Sequence, residues 1–301
     1  MKRADVDSAR DGTAPGSGRS PIRLETVSPL LKEALHRYEI AGGGLPGGGP
    51  ESWPALPEVR VCLETFEGPL RRRRTRIREG GLCEGVWRRG ERSLWVLEGQ
   101  GPREARALLH GGRLETAQAA LKQFLRGFLP EWFLCHGGLV LHGATLVHRR
   151  QAFVFLAPSG GGKTTLARSH GQEGCLGDDA AFLWQDRDTG RWWALPSPLP
   201  GREPVPVTAP PTPLGGLFRL RKSPATTGRC GSELERHQAL REVLARVRVD
   251  VRLASVRALL LDRALGLVQA QAVRVLHLPL HQSPWPILDA ALGLPAAGNA
   301  P

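Results

Sequence analysis

Apolar positions along the chain follow two rhythms. Leu30, Leu31, Ala34, Leu35 and Tyr38 recur at three- and four-residue spacing, which predicts a helix over 29–40. The same spacing in Leu114, Ala117, Leu121, Leu125, Phe128 and Leu129 predicts a long helix over 114–134, bent or divided at Pro130. Further helices are expected over 232–247, 255–268 and 286–292. Short alternating segments at 59–63, 75–78, 85–88 and 93–97, separated by turn-prone Gly and Pro steps, predict a small antiparallel sheet. Later come a strand over 139–147, a tight turn at 148–151 and a second strand over 152–156. Two strands joined so closely run antiparallel. Strands are also expected over 174–184, 191–195, 214–220 and 273–278. No internal repeat is visible.

The punctuation between these elements suggests the domain plan. Residues 1–21 are small, polar and aperiodic, and read as a disordered tail. The run 41–50 is almost all Gly and Pro and reads as a loop, as does the proline-dense 196–213. The expected plan is therefore a tail (1–21), a small α+β domain (22–130) and an α/β domain with a mixed sheet (131–301).

Composition narrows the class. The 41% hydrophobic content of this 301-residue chain suffices for a core, and no apolar run approaches the roughly 20 residues of a membrane span. The N-terminus lacks the apolar segment of a secretion signal, so the expectation is a cytoplasmic protein with no membrane partner. Cys62, Cys83, Cys135, Cys175 and Cys230 are odd in number and scattered, as reduced thiols would be. Net charge is +12, but the arginines are dispersed along the chain. The dense cluster Arg71 to Arg74 with Arg76 and Arg78 alternates with Thr75 and Ile77, as an exposed strand would. No aromatic-studded basic motif accompanies it, so a nucleic-acid partner is not indicated. Nothing in the sequence decides oligomeric state, and a homo-oligomer is compatible with it.

The chemistry concentrates after residue 138. Ala157-Pro158-Ser159-Gly160-Gly161-Gly162-Lys163-Thr164-Thr165 lies between a strand and a helical segment, the context of a phosphate-binding loop. Glycines let backbone N–H groups approach an anion, and the helix N-terminus adds its positive dipole end. Lys163 would reach the β- and γ-phosphates of ATP, and Thr164 would give its hydroxyl to Mg2+. Asp178-Asp179 follows the loop at a distance from which one carboxylate could serve Mg2+ and the other act as general base. Set on a strand, the two side chains would point to opposite faces. His142 ends the strand that pairs with the one feeding the loop. His136 is a similar but less supported candidate.

Leu141-His142-Gly143-Ala144, the loop with Thr165-Leu166-Ala167, and Gly177-Asp178-Asp179 together resemble the catalytic domain of HPr kinase/phosphorylase. They are closer still to the HPr-kinase-like proteins found with peptide-modification gene clusters. The motifs cover roughly 139–184. The resemblance implies a P-loop kinase that uses ATP and Mg2+, with a serine hydroxyl of a peptide or small protein as acceptor. It implies that Asp179 is the acid/base residue, that Asp178 assists at the metal with Thr164, and that His142 lines the site. Two departures stand out. Ala157 replaces the first loop glycine, and alanine disfavours positive φ. The family's later stretch with a second acidic metal contact is not found; the matching segment, 196–213, has Glu203 as its only acid. The resemblance therefore does not extend to HPr as acceptor or to phosphorolysis. A second expectation stays open beside the kinase: an ATP-binding regulatory or accessory protein of peptide maturation, without turnover.

Overall fold

The computed structural model describes residues 22–40, 59–66, 88–89, 95–99, 104–170, 174–186, 188–199, 210–224, 227–249, 254–279 and 282–293. The expected tail, the loop over 41–50, the strand over 75–78, the arginine cluster and Glu203 lie outside these residues.

The first sheet contains β1 (Ile22–Glu25), β2 (Val59–Phe66), β3 (Arg88–Arg89), β4 (Trp95–Gly99) and β5 (Glu104–His110), in the order β1-β2-β5-β4-β3. It is mixed, which corrects the antiparallel expectation. β1, β2 and β5 run parallel, while β4 is antiparallel to both β5 and β3. The reason is a helix, α1 (Pro29–Ile40), between β1 and β2: a crossover of that length returns the chain in the same direction.

The long helix α2 (Leu114–Cys135) is continuous, and Pro130 does not divide it. Proline lacks the N–H that would bond the Arg126 carbonyl. Burial of Phe124, Phe128, Leu129, Trp132 and Phe133 around it holds the helix together nonetheless. On one side α2 packs on α1, β4 and β5; on the other it packs on the larger sheet. Residue 130, the expected domain boundary, thus lies inside a helix shared by both parts.

The larger sheet comprises β6 (Gly138–Leu141), β7 (Gly143–His148), β8 (Gln151–Leu156), β9 (Cys175–Gly177), β10 (Ala181–Gln185), β11 (Trp192–Leu195), β12 (Thr212–Lys222), β13 (Arg229–Glu233) and β14 (Val273–Leu278). Its order is β6-β10-β11-β12-β8-β7-β9, with β14 beside β12 and β13 beside β14. The helices are α3 (Lys163–His170), α4 (Arg236–Leu244), α5 (Ala254–Ala270) and α6 (Trp285–Leu292). The fold is mixed α/β. β8, β12 and β14 are mutually parallel, and β7 runs antiparallel to β8 as expected. Three expectations are corrected. The strand over 139–147 is two strands broken at His142. The strand over 174–184 is also two, β9 and β10, with the Asp pair in the bend between them. The helix over 232–247 begins only at Arg236, because 229–233 pairs with β14.

Alternation along β8 shows why both faces are covered. Ala152, Val154 and Leu156 join a core with α4 and α5; Phe153, Phe155 and Ala157 join another with α3 and α6. A continuous apolar run is the expected signature of a strand buried on both faces. α6 is fastened to the β7–β8 turn. Asp289 lies 3.0 Å from His148 Nε2 and accepts a 2.7 Å bond from Arg149, while Trp285 stacks on the His148 ring. No helix among the described residues is long and apolar enough to cross a membrane.

Candidate active site

Strand register brings the sequence-marked residues to one end of the sheet. Gly143, at the start of β7, pairs with Leu156, at the end of β8, so His142 lies beside the start of the loop at Ala157. Thr145 of β7 pairs with Gly177, so β9 delivers Asp178 and Asp179 to the same end. Gly177 is required there. A Cβ on it would stand 2.7 Å from the Ala180 carbonyl oxygen and 2.8 Å from Ser197 Cβ.

The loop from Ala157 to Gly162 joins β8 to α3. Gly160 and Gly162 have φ of +75° and +96°, the left-handed region that favours glycine. Gly161 donates to the Pro158 carbonyl at 3.0 Å, and Leu166 N–H bonds Gly162 to open the helix. Ala157 is not among the positive-φ residues, so alanine fits the first position without backbone strain. Lys163 is buried, and its Nζ spans the loop, donating to the carbonyls of Ala157 at 2.8 Å and Pro158 at 3.0 Å. Pro158, Ser159 and Gly160 are exposed along the loop crest; Thr164 is half-buried and Thr165 exposed.

Asp178 is buried, whereas the Asp179 side chain is partly open and enclosed by cationic groups. Arg248 contacts its carboxylate at 2.9 Å, His142 Nδ1 at 3.2 Å and Arg126 at 3.8 Å. Arg248 also donates to the Asp179 carbonyl at 3.2 Å and touches His142 Nδ1. A guanidinium only donates. Nδ1 is therefore an acceptor when it bonds Arg248 and a donor when it bonds Asp179, and the tautomer selects between them. Partial burial pushes the Asp179 carboxyl up, but the His142 hydrogen bond and the charges of Arg248, His142 and Arg126 outweigh it and hold it at about 2. Lys122, one turn before Arg126 on α2, is pushed down by desolvation and by Arg126, with Asp179 opposing.

Arg248 is held in place by backbone pairing. His142 N–H donates to Arg246 at 2.6 Å, Arg248 N–H donates to Val140 at 3.0 Å, and Leu141 and Val247 form a bridge between them. Glu242 anchors the same segment through Arg246 at 3.1 Å.

Strand register thus sets the loop that carries Lys163, together with His142 and Asp179, at one end of the sheet. His136 instead closes α2, with its ring Nδ1 2.6 Å from the Trp132 carbonyl. Lys122, Arg126 and Arg248 were not legible beforehand. In a chain so rich in arginine, only the long-range pairing of 246–248 with 140–142 distinguishes Arg248. Among the described residues, no group of three or more His, Cys, Asp or Glu side chains is placed to hold a metal by protein ligands alone. No protein-family model matches the chain, and a search of curated proteins finds no significant relative.

Proposed function

We propose that this chain is an ATP-dependent kinase of the HPr-kinase-like type. It would transfer the γ-phosphate to a hydroxyl, of serine type, on a peptide or small protein. The observation that carries the reading is the loop 157–164. Its positive-φ glycines precede α3, a lysine spans it, and the Asp179 cluster stands at the same sheet end. In the reaction, the acceptor oxygen bonds the γ-phosphorus while the bond to the β-phosphate oxygen breaks. ADP leaves with that electron pair, and the hydroxyl proton passes to Asp179.

A carboxylate held at about 2 is a weak base at neutral pH. That suits a loose transfer in which the hydroxyl needs orientation more than early deprotonation. Arg248 and Arg126 suit charge on the moving phosphoryl group. Mg2+ takes hard oxygen ligands, keeps several waters and relies on substrate phosphates. Thr164 and Asp178 fit that donor chemistry and would hold it, where it neutralises charge on the phosphates. Four free cysteines among the described residues, Cys62, Cys135, Cys175 and Cys230, agree with a reducing, cytoplasmic setting.

One observation favours the second reading, an ATP-binding regulator of peptide maturation. The carboxylate that would act as base is already engaged by two arginines and a histidine. Labelled ATP with Mg2+ and serine-containing peptides separates the two. A kinase labels a peptide, and Asp179→Asn abolishes the label while ATP binding persists. A regulator binds ATP, labels nothing and is indifferent to that substitution.

A further inference from the structure

The bend that carries the acid pair passes from one strand partner to another. Thr145 of β7 pairs with Gly177 just before it, and Leu141 of β6 pairs with Ala181 just after it. Asp179 therefore stands where β6 and β7 part at His142. The two sides of that break are furnished differently. On the β7 side lie the phosphate loop, at the end of β8, and α3, which packs on β7. On the β6 side lie the 246–248 segment, bonded to Val140, and α2, which packs on β6.

The β6 side is cationic. Lys122 and Arg126 are four residues apart on α2, so they share a face, and like charges at that spacing destabilise a helix. Residues 116–130 contain no Asp or Glu to offset them. Asp179 is already engaged by Arg248 at 2.9 Å, His142 at 3.2 Å and Arg126 at 3.8 Å. Lys122 is half-buried and feels Asp179 and Arg126 through their charges, but it has no carboxylate within ion-pair distance among the described residues. A cation half-withdrawn from water beside a second cation suits an anionic ligand, because its attraction for one is screened less than at an open surface.

We propose that Lys122 and Arg126 on α2 bind the carboxylate of an acidic residue one or two places from the acceptor serine, so that the acceptor is an acidic peptide. The proposal rests on the kinase reading above and specifies its acceptor. Spacing sets the register. The acceptor hydroxyl belongs at Asp179, which Arg126 reaches, and Lys122 lies one helical turn away, about 5.4 Å. An extended peptide advances about 3.3–3.6 Å per residue, so a side chain one or two places from the serine spans that step. Arg126 stands between the two and can bond the incoming carboxylate through its fork of donors while still facing Asp179.

The test measures binding of fluorescent peptides of one length, in which a serine is flanked by glutamates or by glutamines, to the full chain and to Lys122→Gln. The full chain should hold the glutamate peptide about tenfold tighter than the glutamine peptide. Lys122→Gln should cut that preference to about threefold or less, and Lys122→Arg should keep it. Arg241→Gln, which removes one exposed charge on α4, should keep it too, which separates the site from net charge. ATP with Mg2+ should leave the glutamate peptide bound, an arm that needs no variant to fold. Equal binding of the two peptides, binding of neither, a preference that survives in Lys122→Gln, or one lost equally in Arg241→Gln overturns the proposal. Displacement of the glutamate peptide by ATP or by inorganic triphosphate also overturns it, since the cations would then serve the nucleotide's phosphates. A glutamate peptide bound with the expected preference but never labelled from ATP overturns the kinase reading instead, and leaves recognition of an acidic peptide by Lys122 standing.

Discussion

Arg248 meets the Asp179 carboxylate at 2.9 Å from a segment tied backbone to backbone to the residues around His142. The pair couples the end of α4 to the bend after β9, two regions 69 residues apart in sequence. With the His142 hydrogen bond, it also helps hold the Asp179 carboxyl in its charged form.

The first prediction concerns pH. The Asp179 carboxyl is lowered from 3.8 to about 2 in the folded chain. A depressed carboxyl contributes stability that is present above its unfolded value and lost as pH falls through its folded value. The contribution is therefore full above about pH 4 and disappears towards pH 2. Nearly two units, discounted for solvent screening of a partly open side chain, correspond to about 2 kcal/mol. Asp179→Asn should lose about that much in urea unfolding at pH 7, and the difference from the parent should shrink in acid. An equal difference at pH 7 and pH 2.5 contradicts this.

Arg248→Met removes the closest positive charge on Asp179. The carboxyl should then titrate above about 2, nearer the ordinary range, because burial still pushes it up and only His142 and Arg126 oppose. Carbon NMR of the labelled carboxyl reads this directly. An unmoved titration means that Arg248 does not govern it.

Lys163→Met should weaken ATP binding by roughly 10- to 100-fold, the value of a charge-assisted hydrogen bond to phosphate. The helical circular dichroism signal should stay as it is. Calorimetry on the parent and the variant checks this; equal affinities remove Lys163 from the site.

The loop makes different demands of its glycines. A Cβ on Gly161 would stand 2.6 Å from Ala157 Cβ and 2.9 Å from the Pro158 carbonyl oxygen, whereas one on Gly160 meets nothing within 4 Å. Gly161→Ala must therefore shift the loop at a cost of about 1–3 kcal/mol. Gly160→Ala meets only the backbone penalty at φ +75°, about 1–2 kcal/mol. ATP affinity should fall further in Gly161→Ala. The reverse order would mean that loop shape does not control binding.

How much of this was legible depends on what each residue answers to. The α1, α5 and β14 segments follow their own periodicity, so the sequence shows them nearly to their ends. β1, β5 and β13 were not visible. Ile22–Glu25 is too short to establish a rhythm, and Arg229–Glu233 has little apolar alternation because, among the described residues, it pairs with β14 alone. Pro130 does not divide α2, because the local rule gives way when the surrounding side chains are buried. At the site, Lys163 and Gly162 carry a local geometric requirement and could be read directly. Arg126 and Arg248 act through tertiary placement alone, and no spacing in the sequence announces that.

The central claim is phosphoryl transfer from a nucleotide on this loop. Its most direct measurement follows the label of γ-phosphate-labelled ATP, with Mg2+, into serine-containing peptides, using the full chain and its Asp179→Asn variant side by side. The account predicts phosphoserine in at least one peptide with the full chain and none with the variant, while both bind ATP. ATP binding with no labelled peptide from either, or equal labelling from both, contradicts it.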